Sequence, residues 1–138
     1  MNRVVVFCLA VALGAAMFVS TATAADPPAD RVVAMYFHRT QRCPTCVKMG
    51  SYAEEAVTQG FAEQVENGSV AFHYVDFQDE KNAALAQGYK ISGPALIVVK
   101  VKDNKVEQYK NLQDIWVKVR EKPEFLKYVQ AHVQEYLR

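Results

Sequence analysis

With 16 basic and 15 acidic residues among 138, and a formal net charge of +1, the chain lacks the basic excess that nucleic acid or an anionic membrane surface calls for. It is 51% hydrophobic and 22% charged, the balance of a folded globular chain, and its length leaves room for one domain.

The N-terminus carries a targeting pattern. Met1 to Arg3 is a short positive start, Val4 to Val19 is an almost unbroken apolar run, and Ala22-Thr23-Ala24 is a small-x-small cleavage site. This predicts a secretory signal peptide over residues 1–24 and a periplasmic or otherwise extracytoplasmic destination. The alternative is an uncleaved anchor, because the uncharged stretch from Val4 to Ala25 is long enough to cross a bilayer. Cleavage removes Arg3 and no acid, so basic and acidic residues then balance. It also removes Cys8, leaving Cys43 and Cys46 as the only cysteines.

Residues 25–30, with Pro27 and Pro28, form a polar lead-in expected to be mobile, and the folded domain is expected over 31–138. Arg31 to His38 is an apolar run of strand length. A helix is predicted from about Pro44 to Phe61, with Met49, Tyr52, Ala53, Ala56 and Phe61 on one face. Pro44 suits a first turn, where its missing N–H would be unpaired anyway. Asn67-Gly68 ends this unit as a turn.

Val70 to Phe77 reads as a second strand, apolar on both faces apart from His73, as a strand covered on both sides would be. Strand, helix and strand in that order predict a parallel pair with a crossover. A short helix is expected from Asp79 to Gln87, stopped by Gly88. Ser92, Gly93 and Pro94 lead into a strand from Ala95 to Val101, and Asp103-Asn104 turns it into a return strand from Val106 to Lys110. Leu112, Ile115, Trp116 and Val119 repeat at helical steps, and Pro123 opens a last helix with Leu126, Val129, Val133, Tyr136 and Leu137 on one side. Both stripes are expected to face the core.

The chemistry lies at Arg42-Cys43-Pro44-Thr45-Cys46, where the first strand gives way to the first helix. A thiol in a first helical turn meets unpaired N–H groups and the positive end of the helix dipole, which favour the reactive thiolate. A second thiol three residues on lies about one turn along the same face, in reach to close a disulfide after the first has attacked. A disulfide across so short a loop adds little loop-closure stabilisation, which argues against a purely structural staple. Arg42 is a cation beside the thiol and favours its ionised form. His38 could act as a base or bias the thiolate, but a strand-end histidine exposed to solvent is the favoured reading. His73 and His132 sit on mostly apolar faces and are expected in the core.

The element order, with Cys-x-x-Cys after the first strand and Pro94 opening the third, resembles the thioredoxin fold. The expected class is α/β: a four-stranded mixed sheet with helices on both faces and an extended C-terminal helical tail. Within that superfamily the run Tyr36 to Cys46, with Tyr109 to Leu112 and Ile115-Trp116, resembles the exported ArsF-type family, whose members are often labelled subunits of a nitrophenyl compound nitroreductase. The resemblance implies Cys43 as attacking and Cys46 as resolving thiol, and Gly93 with a cis Pro94 as the partner groove. Partners would be protein or small-molecule disulfides and dithiols, with a membrane electron carrier if the protein reduces them.

Three departures from thioredoxins stand out: Arg42 replaces their tryptophan, Pro44-Thr45 replaces their glycine-proline, and Phe37 occupies the place of their buried acid, which is associated with deprotonating the resolving thiol. No cofactor is expected, and the absence of a Gly-x-Gly-x-x-Gly fingerprint makes an electron-donating or maturation partner more fitting than a nitroreductase catalytic unit. Two other readings stay open: a non-catalytic thioredoxin-like adaptor, and soft-metal or metalloid binding by the two cysteines with His38. Oligomeric state is not legible.

Overall fold

The structure, a computed structural model, describes residues 25–138; the signal-peptide and anchor readings and Cys8 lie outside the described residues. Strand β1, Arg31–His38, is buried along most of its length. It lies at the centre because it has an apolar residue for each face. Val32, Ala34 and Tyr36 enter one core cluster, and Met35 and Phe37 enter the other.

Strand β2, Val70–Asp76, runs parallel to β1, with Val32 opposite Val70 and His38 opposite Asp76. Strand β3, Ala95–Lys102, runs antiparallel to β1 on its other side, with Phe37 opposite Ala95. Strand β4, Lys105–Asn111, completes the hairpin and the order β2-β1-β3-β4. Asp103 and Asn104 turn it with φ of 50° and 60°, the positive pair that a tight hairpin requires and that Asp and Asn tolerate. This is the mixed four-stranded sheet that the element order predicts.

Helix α1, Pro44–Gly60, supplies the crossover between the parallel strands, and α2, Ala62–Glu66, follows it. Gly68, at φ 80°, makes the turn into β2. The C-terminal helix α5, Lys122–Leu137, packs beside α1 on one face of the sheet. Its buried residues are Phe125, Val129, Val133 and Tyr136, at steps of four, four and three. Phe125 is fully covered, an area worth roughly 1.5–3 kcal/mol to the fold. A 3-10 turn at Glu80–Asn82 leads into helix α3, Ala83–Gly88, and the opposite face is covered by Ala86 of α3 with Phe77, Tyr89 and Ile91.

Several expectations need correction. The run around β2 is not covered on both sides: β2 is an edge strand, and His73 and Tyr74 are exposed. His132 is only partly buried, its Nδ1 lying 3.3 Å from a Glu135 carboxylate oxygen and 3.4 Å from Lys110 Nζ. Gly88 does not stop the helix before it; it is the last residue of α3, and the left-handed residue is Lys90 at φ 55°.

The stripe after β4 yields only a short helix α4, Ile115–Lys118, in which Ile115 is buried and Trp116 is 46% exposed. One helical turn can turn only one side inward, and Ile115 takes it. The lead-in expected to be mobile is hydrogen-bonded to the hairpin turn. Asn104 N donates to Ala29 O, Asp103 N to an Asp30 carboxylate oxygen, and Arg31 bridges Pro28 O and the Asn104 side-chain carbonyl.

Candidate functional site

The carboxyl ends of β1 and β2 and the start of α1 meet at the two cysteines. Cys43 is the N-cap of α1, with an extended backbone at φ −75° and ψ 158°, and Pro44 follows in the first turn. The Cys46 amide donates to Cys43 Sγ at 3.1 Å, which is how a side chain satisfies one of the unpaired donors of a helix start. The same donor, with the helix dipole behind it, would stabilise negative charge on that sulfur once the thiol ionises. The two residues form a disulfide with Cα atoms 5.0 Å apart. Cys43 is exposed and Cys46 is 7% exposed. One sulfur can meet a partner while the other is held back.

Beneath Cys46 lies Tyr36, fully buried, whose hydroxyl donates to the Cys46 carbonyl at 2.8 Å. Burial pushes its phenol up to about 12, with Arg42 opposing the shift. The ring passes over Gly50, where a Cβ would come within 2.9 Å of Tyr36 carbons and 2.8 Å of a Tyr74 carbon. Only a residue without a side chain leaves room for both rings.

Tyr74 donates to a Glu54 carboxylate oxygen at 2.9 Å and meets the Tyr36 ring edge-on. The Arg42 guanidinium sits over Tyr74, 5.0 Å from the ring centroid, a cation–π contact. Arg42 is therefore not a free cation beside Cys43; it is held from below by β2. In the sequence Tyr36 appears only as the head of the run that carries the resemblance, and Tyr74 and Gly50 do not stand out at all.

His38 corrects another expectation, since it is buried at 7% exposure instead of facing solvent. Its ring lies between Tyr36 and Tyr74, with centroids 6.5 Å and 6.0 Å away. Nδ1 is 2.8 Å from Arg39 O; a carbonyl only accepts, so Nδ1 carries the proton and Nε2 holds the lone pair of the neutral ring. The loop over it is pinned to the end of β2 and the segment that follows. Thr40 Oγ1 donates to an Asp76 carboxylate oxygen at 2.7 Å, and Thr40 N donates to Gln78 Oε1 at 3.1 Å. The Thr40 hydroxyl, then the Gln78 amide and the nearby His38, hold the Asp76 carboxyl below its ordinary value.

Phe37, in the place where the resemblance would put a buried acid, is fully covered in the opposite core with Met35 and Ile97. That cluster lies on the face of the sheet away from α1. Among the described residues no group of three or more His, Cys, Asp or Glu is placed to hold a metal ion.

Gly93 and Pro94 precede β3, whose first residue Ala95 pairs with Phe37, so they stand at the dithiol's end of the sheet. The Gly93–Pro94 bond is trans, correcting the expected cis isomer: the described residues contain no cis peptide. Trans is the lower-energy form of an X–Pro bond, and a strand entrance can spare the amide that proline lacks. An open groove of ≈ 430 Å³ runs beside this segment, lined by Gly93, Pro94, Leu112, Ile115 and Trp116 among others.

No protein-family model matches the chain, and no curated protein matches it. Among solved structures it is similar to a thioredoxin-2 described as a component of the malaria parasite's protein secretion machinery. Identity is 18% over 67% of this chain and 84% of that one, with a TM-score of 0.41. It is also similar to a thioredoxin from Thermus thermophilus, at 19% identity over 66% of this chain and 72% of that one, with a TM-score of 0.38. With its order β2-β1-β3-β4, its one parallel pair and a Cys-x-x-Cys opening α1, the chain has a thioredoxin-like fold.

Proposed function

We propose that the protein is an exported thiol–disulfide oxidoreductase working through Cys43 and Cys46. The observation that carries this reading is the pairing of an exposed Cys43, whose side chain caps the helix start, with a buried Cys46 one turn behind it. In the reducing direction the Cys43 thiolate attacks a partner disulfide, forming a mixed disulfide and releasing one partner thiolate. Cys46, having lost its proton, attacks the Cys43 sulfur, and the second partner thiolate leaves. Two electrons pass from the dithiol to the partner. The reverse sequence oxidises a partner dithiol.

The substrates in this reading are protein or small-molecule disulfides and dithiols, approached along Gly93 and Pro94. With Phe37 in place of an acid, His38 Nε2 or a water takes the Cys46 proton. A protein acting as reductant outside the cytoplasm must be recharged, and a membrane electron carrier fills that role. The ArsF-type resemblance adds a finer proposal: an electron-donating or maturation partner of a larger reductase.

Cys46→Ser tests the reading, since it leaves a thiolate able to open a disulfide but not to release it. Partners should accumulate as mixed disulfides on Cys43, visible on non-reducing gels, while Cys43→Ser traps little because its remaining thiol is buried. Equal trapping by both variants would dissolve the assignment of roles. Trapping by neither, with a native bond that resists reduction, would favour a stapled adaptor.

A further inference from the structure

We infer that Tyr36 is a positioning residue for the resolving thiol, its buried hydroxyl clamping the Cys46 carbonyl so that the Cys46 sulfur stays within reach of a mixed disulfide on Cys43. The inference rests on the exchange reading above and goes beyond it by assigning a residue to the second step alone.

Tyr36 lies on β1, ten residues before Cys46, and reaches the first turn of α1 from inside the core. The Cys46 carbonyl already has a helical partner in the amide four residues on, that of Gly50. A carbonyl oxygen has a second lone pair, and Tyr36 fills it. Gly50 makes the approach feasible, because any Cβ there would strike the Tyr36 ring.

The phenol keeps its proton through the range in which thiols exchange, so it remains a donor. The first turn of a helix frays most readily, and it is here that the clamp joins α1 to the central strand. Once the disulfide is opened, the Cys43 side chain is left, among the described residues, with the hydrogen bond from the Cys46 amide alone. The outer sulfur can thus swing to a partner while the inner one waits in place, and the rate of ring closure reflects how well that place is kept.

Oxidised glutathione is a sufficient probe. The Cys43 thiolate opens its disulfide, one glutathione leaves, and a Cys43–glutathione bond forms; the Cys46 thiolate then attacks Cys43, expelling the second glutathione and forming the protein disulfide. The dithiol loses two electrons and the probe gains them.

Tyr36→Phe keeps the ring and deletes only the hydroxyl. Ring closure, followed as release of the second glutathione, should slow by roughly three- to tenfold, the scale of one neutral hydrogen bond. The equilibrium with glutathione should shift toward the dithiol by a similar factor. The rate of the first attack, read in a Cys46→Ser background with and without Tyr36→Phe, should stay unchanged. Equal ring-closure rates with and without the hydroxyl would overturn the role of Tyr36, and so would a variant that slows both steps alike, which is general loosening of the site. A native dithiol that never expels the second glutathione would instead remove the exchange reading itself, and the role of Tyr36 with it.

Discussion

Arg42 shows how a residue legible in the sequence acquires a different setting in space. Its place beside Cys43 marks it as a cation near a thiol, but its guanidinium rests on Tyr74, a residue of β2. The contact holds the guanidinium against β2, and we propose that the charge held there favours the Cys43 thiolate over the thiol. Arg42→Ala should raise the Cys43 pKa toward the free-thiol value of ~8.5, measured as alkylation rate against pH in a Cys46→Ser background. No movement of the profile would take Arg42 out of thiolate stabilisation. The two cysteines were legible because their spacing alone puts them on one helical turn. Tyr36, Tyr74 and the burial of His38 were not, since each depends on which strand lies beside which. Local periodicity around His38 carries no trace of a ring that arrives from Tyr74 across the parallel pair.

Helix α1 was legible almost to the residue, because Pro44 marks its start and Met49, Ala53 and Ala56 mark its buried face. Gly50 escaped notice on that same face. A glycine in mid-helix usually costs about 0.5–1 kcal/mol relative to alanine, and Gly50→Ala would by that rule stabilise the protein. The two tyrosine rings reverse the sign: Tyr36 is fully buried and hydrogen-bonded and cannot move aside. Gly50→Ala should destabilise by about 1–3 kcal/mol, the range for overpacking a core, read as the denaturant midpoint. A gain in stability would show that the rings yield. Strand β2 was read as buried because an apolar run looks alike in a central and an edge strand. Only the pairing, β1 on one side and nothing on the other, distinguishes them.

At the scale of the whole molecule the topology followed from element order. A strand, a four-turn helix and a second strand leave little choice but a parallel pair, and the Asp103-Asn104 turn leaves little choice but a hairpin. Packing density on the second face was harder to foresee, since one short helix and Tyr89 and Ile91 cover it. Export belongs to this scale too. The Ala22-Thr23-Ala24 site after an apolar run leads us to expect Ala25 at the N-terminus of the exported protein, which mass spectrometry would read directly. Recovery of a full-length chain embedded in membrane would defeat that expectation.

The knot of hydrogen bonds between residues 28–31 and the hairpin turn sets the direction in which the molecule faces. The chain enters the domain at the amino end of β1, and the dithiol lies past its carboxyl end, eight residues on, a span of roughly 26 Å at strand rise. Because the entering segment is latched to the far turn, it does not swing round toward the cysteines. A support joined at Ala25 therefore holds the molecule by its back and leaves Cys43 facing outward.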